Sequence, residues 1–192
     1  EVKYLAGQIC RLVEASRGHT LVLFTSYALM GAVYNQVKDR LPFPLLEVWR
    51  HSSDMIHKFK HSNNAVLFAA GSCWEGVDFP GDMVSSLIIV RLPFSVPNPL
   101  SEAEREQYPS LQDYIRAVII PDMQVKLRQG FGRAIRTETD TCVISILDHR
   151  AAPGERYHQA VLEALPNLRI TRKIKEVEEF IRAKKSSDYF LS

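Results

Sequence analysis

The chain has 192 residues, of which 46% are hydrophobic and 24% charged, and its formal net charge is +2. That length suits one domain with a real core and at most a small insertion, and that charge excludes a generally basic nucleic-acid binder, so any polyanion site must be local. No apolar run approaches the roughly 18 residues of a membrane span, no signal peptide is visible, and Cys10, Cys73 and Cys142 form neither a metal-ligand spacing nor a disulfide framework.

Residues 2–15 carry helical periodicity through Leu5, Ile9, Leu12 and Val13, and Arg17-Gly18 stops it. Residues 20–24 read as a buried strand. Ser26 then caps a helix predicted to run to about residue 41, where Pro42 and Pro44 break it. A second strand is predicted at 45–49, a short helix at 54–61, a third strand at 65–69 and a fourth at 86–90. Pro93, Pro97 and Pro99 make 91–100 a stiff surface excursion. Ser101-Glu-Ala-Glu104 has the pattern of a capping box, and a further helix starts near Leu111. Pro121 suits the first turn of another helix. A fifth strand follows at 141–147, then Asp148-His149-Arg150, a helix at 153–165, a last strand at 168–171 and a closing amphipathic helix at 173–184. Short strands, apolar on both faces and alternating with helices, predict an α/β fold with a mainly parallel central sheet flanked by helices. The whole chain reads as one domain, 1–192, with a helical insertion at about 91–120, and its start at Glu1 without Met suggests a piece of a longer protein.

Ligands of such sheets sit beyond the carboxyl ends of the strands. Thr25-Ser26 after the first strand, the loop 71–81 after the third and Asp148–Arg150 after the fifth lie there; that loop and the helical segment 129–136 are the two that carry most chemistry. The loop 71–81 holds three glycines, Trp74 and two carboxylates, Glu75 and Asp78. Its glycines would let backbone N–H groups approach a ligand, and its acids would hold an arginine or a ribose hydroxyl; a tight surface loop with solvated acids is the plainer alternative. In 129–136, Gln-Gly-Phe-Gly-Arg-Ala-Ile-Arg, helical spacing puts Gln129, Arg133 and Arg136 on one narrow face and Met123, Leu127, Phe131 and Ile135 opposite. Gly130 and Gly132 each cost about 1 kcal/mol there relative to Ala, which implies a close approach to the backbone. Two forked cations in a row suit a polyanion such as a nucleotide triphosphate; an ordinary exposed arginine face is the alternative.

Residues 20–27, Thr-Leu-Val-Leu-Phe-Thr-Ser-Tyr, resemble motif IV of superfamily-two helicases. The loop 71–81 resembles motif V as the DinG and XPD branch writes it, and 129–136 resembles motif VI. Residues 87–94 and 143–150 also resemble that branch, its bacterial DinG side in particular. The resemblance implies the second RecA-like motor domain, a three-layer sandwich, with ATP and Mg2+ held mainly by an N-terminal motor domain of the same polypeptide. Arg133 and Arg136 would reach the γ-phosphate as arginine fingers, and Gln129 would contact the nucleotide or the attacking water. Glu75, Gly76 and Asp78 would lie against the nucleotide. Thr25, Ser26, Tyr27, Ser72 and Trp74 would lie on the single-stranded DNA side. Translocation would run 5′ to 3′ in the bacterial cytoplasm, without membrane or iron–sulfur cluster in this chain, and the isolated domain would be a monomer. No Gly-x-x-x-x-Gly-Lys-Ser/Thr run and no Asp-Glu-x-His/Asp run occurs in the chain, so the chain alone is expected to be inactive on ATP. A degenerate motor half that only binds nucleic acid or protein is the other reading of the same motifs.

Overall fold

The computed structural model describes residues 1–50, 53–74, 77–79, 81–135, 137–166 and 168–191, with the backbone alone at Ser72 and Cys73. Five parallel strands form one sheet in the order β2-β3-β1-β4-β5, where β1 is Thr20–Phe24, β2 Leu45–Glu47, β3 Val66–Ala70, β4 Ser86–Ile89 and β5 Val143–Ile146. Central β1 pairs with β3 from Thr20↔Val66 to Phe24↔Ala70 and with β4 from Thr20↔Ser86 to Leu23↔Ile89. Alternate residues of each strand enter opposite cores. Leu21, Leu23, Leu67, Ala69, Leu87 and Ile89 face one side; Val22, Phe24, Val66, Phe68 and Ile88 face the other. Fully burying each such side chain contributes about 1.5–3 kcal/mol, which is why the strands read as continuous apolar runs.

Helices α1 (Val2–Ser16), α2 (Tyr27–Val37) and α8 (Ile174–Lys184) cover one face. The other face is covered by α3 (Ser53–Lys60), α6 (Ile120–Phe131) and α7 (His158–Ala164). The result is the expected three-layer α/β arrangement. Arg17 adopts a left-handed conformation, φ 57°, and closes α1 with the paired hydrogen bonds of a Schellman cap, Gly18 N to Val13 O and Arg17 N to Glu14 O. Ser26 caps α2 by accepting from Leu29 N.

Several expected elements shift. The second helix stops at Val37 rather than near residue 41. The excursion's helix, α4 (Pro99–Arg105), starts one turn early: its capping box is Asn98 with Ser101, and Pro99 takes its first turn, so that proline starts a helix instead of forbidding one. The helix predicted near Leu111 and the one predicted at Pro121 are a single run, α5 (Leu111–Tyr114), a π turn (Ile115–Ile119) and α6. Pro121 lacks an N–H and in a regular α-helix would crowd the carbonyl of Ala117, and the wider π turn lies where that bond would fail. α7 begins five residues later than expected. Its approach is a 3-10 turn capped by Asp148, and Tyr157 N and His158 Nδ1 bond back to that turn at Arg150 O and Ala151 O. No strand forms at 168–171, where Leu168 and Ile170 are exposed beside no partner strand.

The closing helix docks as its apolar stripe predicts, with Val177 and Ile181 buried. Beyond it, Lys185 Nζ reaches Asp82 Oδ1 at 2.6 Å and Thr141 O and Oγ1 at 2.7 Å, and Tyr189 stacks on His19 at 3.9 Å. Burial pushes the His19 imidazole below its ordinary value; the backbone carbonyl of Asp82 opposes this, and the Lys185 charge adds to it. A neutral ring is therefore favoured in the fold, and the unfolded chain binds the extra proton. Stability from this contact is complete above about pH 6.5 and is lost as pH falls through that value toward the lower folded one. We expect the urea midpoint to fall between pH 7.5 and 5.5, and His19→Asn to flatten that slope; a midpoint that rises on acidification would contradict the assignment.

Candidate functional site

Between β3 and β4 the chain crosses over β1, so the carboxyl edge of those strands is the switch point where ligands of open α/β sheets bind. The segments singled out by sequence converge on that edge. β1 ends in exposed Thr25 and Ser26 and part-exposed Tyr27. β3 turns at Gly71, φ +63°, into the short helix Gly71–Trp74; a Cβ at Gly71 would lie 3.0 Å from the Tyr27 hydroxyl and in a left-handed backbone.

Trp74 sits elsewhere than expected. It is 6% exposed, its indole Nε1 donates to Phe24 O at 3.0 Å, and its ring lies against α6. A Cβ on Gly130 would come within 2.8 Å of Trp74 Cζ3. The close approach implied by Gly130 is thus to this domain's own tryptophan, which is packed inside the domain. Gly132 meets no such neighbour and ends α6 as its cap residue.

The arginine row is likewise rebuilt. Because α6 ends at Phe131, Arg133 lies beyond the helix, in the turns that follow it. Its Nε donates to Gln129 O at 3.0 Å, its Nη1 donates to Val77 O at 2.9 Å, and Asp78 Oδ1 is 3.5 Å from Nη1. The side chain is only 16% exposed, where the sequence led us to expect an exposed charge, while Asp78 is 54% exposed. A charged donor on a sheltered carbonyl contributes about 1.5–3 kcal/mol, whereas a half-exposed ion pair contributes about 0–1 kcal/mol. The Val77 carbonyl therefore does most of the holding and Asp78 orients the fork. Gln129 Oε1 is buried with no hydrogen-bond partner among the described residues. Glu75, Gly76 and Arg136 lie outside the described residues, and Ser72 is described by backbone only.

Sequence reasoning noted Asp148-His149-Arg150 by position but assigned it no contacts. The Asp148 side chain is 1% exposed and accepts from Leu92 N at 2.9 Å, Arg150 N at 3.1 Å, Arg150 Nε at 2.9 Å and Arg150 Nη2 at 2.6 Å. Burial pushes this carboxyl up, but the Arg150 guanidinium and the two amides outweigh it and hold it below the ordinary aspartate range. The pair ties the exit of β4 to that of β5 and lays Arg150 over Phe94, 5.1 Å from the ring centre. Sequence reasoning read Trp49 only as the last residue of a predicted strand and gave Arg50 no role, whereas the observed strand stops at Glu47. Trp49 stacks on Tyr27 at 5.6 Å and 18°, and Arg50 lies 5.4 Å from the Tyr27 ring centre. Among the described residues no cluster of three His, Cys, Asp or Glu side chains stands ready for a metal ion, and no helix is long and apolar enough to cross a membrane.

The domain is a three-layer parallel α/β fold whose glycine-containing loop holds an arginine from just beyond the end of a helix. Residues 9–168 match the helicase C-terminal domain family, and the chain belongs to it. ATP-dependent DNA helicase YoaA of Haemophilus influenzae is 37% identical over 178 residues, covering 90% of this chain and 27% of that protein. ATP-dependent DNA helicase DinG of Photobacterium profundum is 36% identical over 167 residues, 81% of this chain and 24% of that protein. The solved structure of an XPD helicase superposes with a TM-score of 0.67 at 22% identity, over 85% of this chain and 30% of that one, which shows the shared fold. The domain is thus a helicase C-terminal domain of the DinG/XPD type, and it spans about a quarter of the length of those two curated relatives.

Helix propensity alone would have Gly130→Ala stabilise α6 by about 1 kcal/mol. The Trp74 contact reverses the sign: we expect a destabilisation of about 1–3 kcal/mol, as for overpacking a filled core. Chemical denaturation decides, and a stabilised variant would mean that Trp74 yields freely.

Proposed function

We propose that this chain is the second motor domain of an ATP-dependent DNA helicase, and that its sheet edge forms one wall of a cleft closed by an N-terminal motor domain of the same polypeptide. The observation that carries this is the Arg133 latch, a guanidinium fixed by Val77 and Asp78 at the switch point of the sheet. Phosphoryl transfer spreads negative charge over the equatorial oxygens, and a positioned guanidinium stabilises that charge without reorganising. Arg133, with Arg136, is assigned that finger role, and Gln129 lies beside it to contact the nucleotide or water. Glu75, Gly76 and Asp78 are assigned to the nucleotide side of the loop.

This chain has no phosphate-cradling Gly-x-x-x-x-Gly-Lys-Ser/Thr sequence, so most ATP contacts and the Mg2+ are assigned to the other motor domain. Mg2+ would supply charge neutralisation at the phosphates; the residues of this chain orient Arg133 and couple it to the loop. On the nucleic-acid side, Thr25 and Ser26 at the start of α2 would hold phosphates of single-stranded DNA, with Tyr27 and the Ser72 backbone alongside. Cleft closure on ATP and reopening after hydrolysis would alternate that grip and drive 5′-to-3′ translocation in the bacterial cytoplasm. The intact Arg133 latch favours this over a module that merely binds.

In the longer polypeptide, Arg133→Ala is expected to lower ATPase kcat by about 10³–10⁵ while leaving DNA affinity nearly unchanged. Arg133→Lys should rescue little, because a point charge cannot reproduce the fork to Val77 O and Gln129 O. Normal turnover with lost DNA binding would overturn the finger assignment. The 192-residue chain by itself should show no DNA-stimulated ATP hydrolysis in a phosphate-release assay, and robust turnover by it would overturn the division of labour between the two domains.

A further inference from the structure

One aromatic pair at the sheet edge takes no part in the arginine latch: Tyr27 is partly buried against the core, and Trp49 stacks on it. Trp49 follows β2 and remains 44% exposed, although a tryptophan that size is ordinarily driven inward. It lies parallel to Tyr27, and Gly31 on α2 leaves room for it: a Cβ there would touch Trp49 Cη2 at 3.4 Å. Arg50 adds a cation over the same Tyr27 ring. Beside the pair runs an open groove of about 480 Å³ lined by Tyr34, Leu45, Leu46, Glu47, Trp49 and Met55. Glu47 is one of those residues, and its Oε2 is buried with no hydrogen-bond partner among the described residues.

We propose that Trp49, stacked on Tyr27 with Arg50 alongside, is a base-stacking platform that takes one unpaired base of single-stranded DNA at the mouth of this groove. The inference rests on the nucleic-acid reading of Thr25, Ser26 and Tyr27 and adds the residue that engages a base rather than the backbone. The chemistry selects the occupant. A flat ring beside a guanidinium suits a flat, electron-rich base that brings its own phosphate. An exposed Ser26-capped helix start lies one residue from Tyr27, so phosphate and base contacts fall within one nucleotide's reach. A purely aliphatic partner would make no use of the Arg50 charge. Stacking of this kind tolerates any base, because every base has a π-face.

The test uses fluorescence anisotropy of labelled oligo(dT) and of an abasic sugar–phosphate oligomer of equal length, each titrated with the 192-residue chain at low salt. Wild type should bind oligo(dT) more tightly than the abasic oligomer. Trp49→Ala should weaken oligo(dT) binding by about tenfold or more and leave abasic binding unchanged, and Trp49→Phe should keep most of the affinity. The chain has two tryptophans and Trp74 is buried, so oligo(dT) should quench the emission of wild type and not that of Trp49→Phe. Equal losses on both oligomers would show Trp49 to be a support for the fold, and no loss on either would also overturn the platform. If wild type binds both oligomers equally, the platform falls while the DNA reading stands; if it binds neither, the DNA reading itself falls.

Discussion

The site depends on the contact between Trp74 and Gly130. Trp74 closes the turn after β3, its indole N–H is satisfied by the last carbonyl of β1, and its ring rests on the one place in α6 that has no side chain. A buried tryptophan supplies a large apolar area and needs a partner for its N–H; here both come from elements that end at the carboxyl edge of the sheet. The contact therefore fixes the distance between the end of α6 and the loop after β3. Arg133, three residues beyond Gly130, can then reach Val77 O at 2.9 Å.

That distance makes one loop answer to two sides. Its early part, at Gly71, packs against the Tyr27 hydroxyl, and its later part, at Val77 and Asp78, holds Arg133. Tyr27 in turn carries Trp49 and Arg50. Arg133 is held by a carbonyl bond rather than by a strong ion pair, because Asp78 is half exposed and its attraction is screened. At the far side of the edge, the Asp148–Arg150 pair is built differently: its carboxylate is wholly buried and all its acceptor capacity is used within the domain. Breaking it would leave a buried charge, so it holds β4 and β5 in fixed relation instead of moving.

The sheet was legible because strands covered on both faces must be continuously apolar, and each of 20–24, 65–69 and 86–90 obeys that rule within one residue of the observed strand. The strand expected at 168–171 failed for the same reason in reverse: its apolar residues have no sheet to join. The Arg133–Asp78 association was open to reasoning from composition, since an acid-bearing loop and an arginine segment flank the same edge. The geometry was not. Periodicity carried the helix through to residue 136, and nothing in a 3.6-residue repeat marks that Gly132 ends it. Gly130 was correctly read as a point of close approach, but sequence cannot name the neighbour, and a tryptophan fifty-odd positions upstream is settled only by packing. Trp49 escaped notice because an aromatic at the end of a predicted strand, 45–49, has the same local pattern as a core residue, and only the structure ends that strand at Glu47.

The π turn completes the logic of the contact. Gly130 must face the sheet, together with Met123 and Leu127, which are buried at four- and three-residue spacing on the same stripe. The segment before Ile115 obeys a different demand, since Tyr114 is buried against the excursion, where its hydroxyl donates to Ser101 O. In an unbroken α-helix the two faces would be locked together at 100° per residue. The π turn takes up an additional residue and rotates everything after it, so the excursion can be anchored without turning Gly130 away from Trp74. Pro121 makes that choice permanent, because a regular helix at that point would need the N–H that proline lacks and would crowd the carbonyl of Ala117. The proline that sequence alone assigns to the start of a helix is in physical terms what sets the rotation of α6, and through Gly130 the position of Arg133.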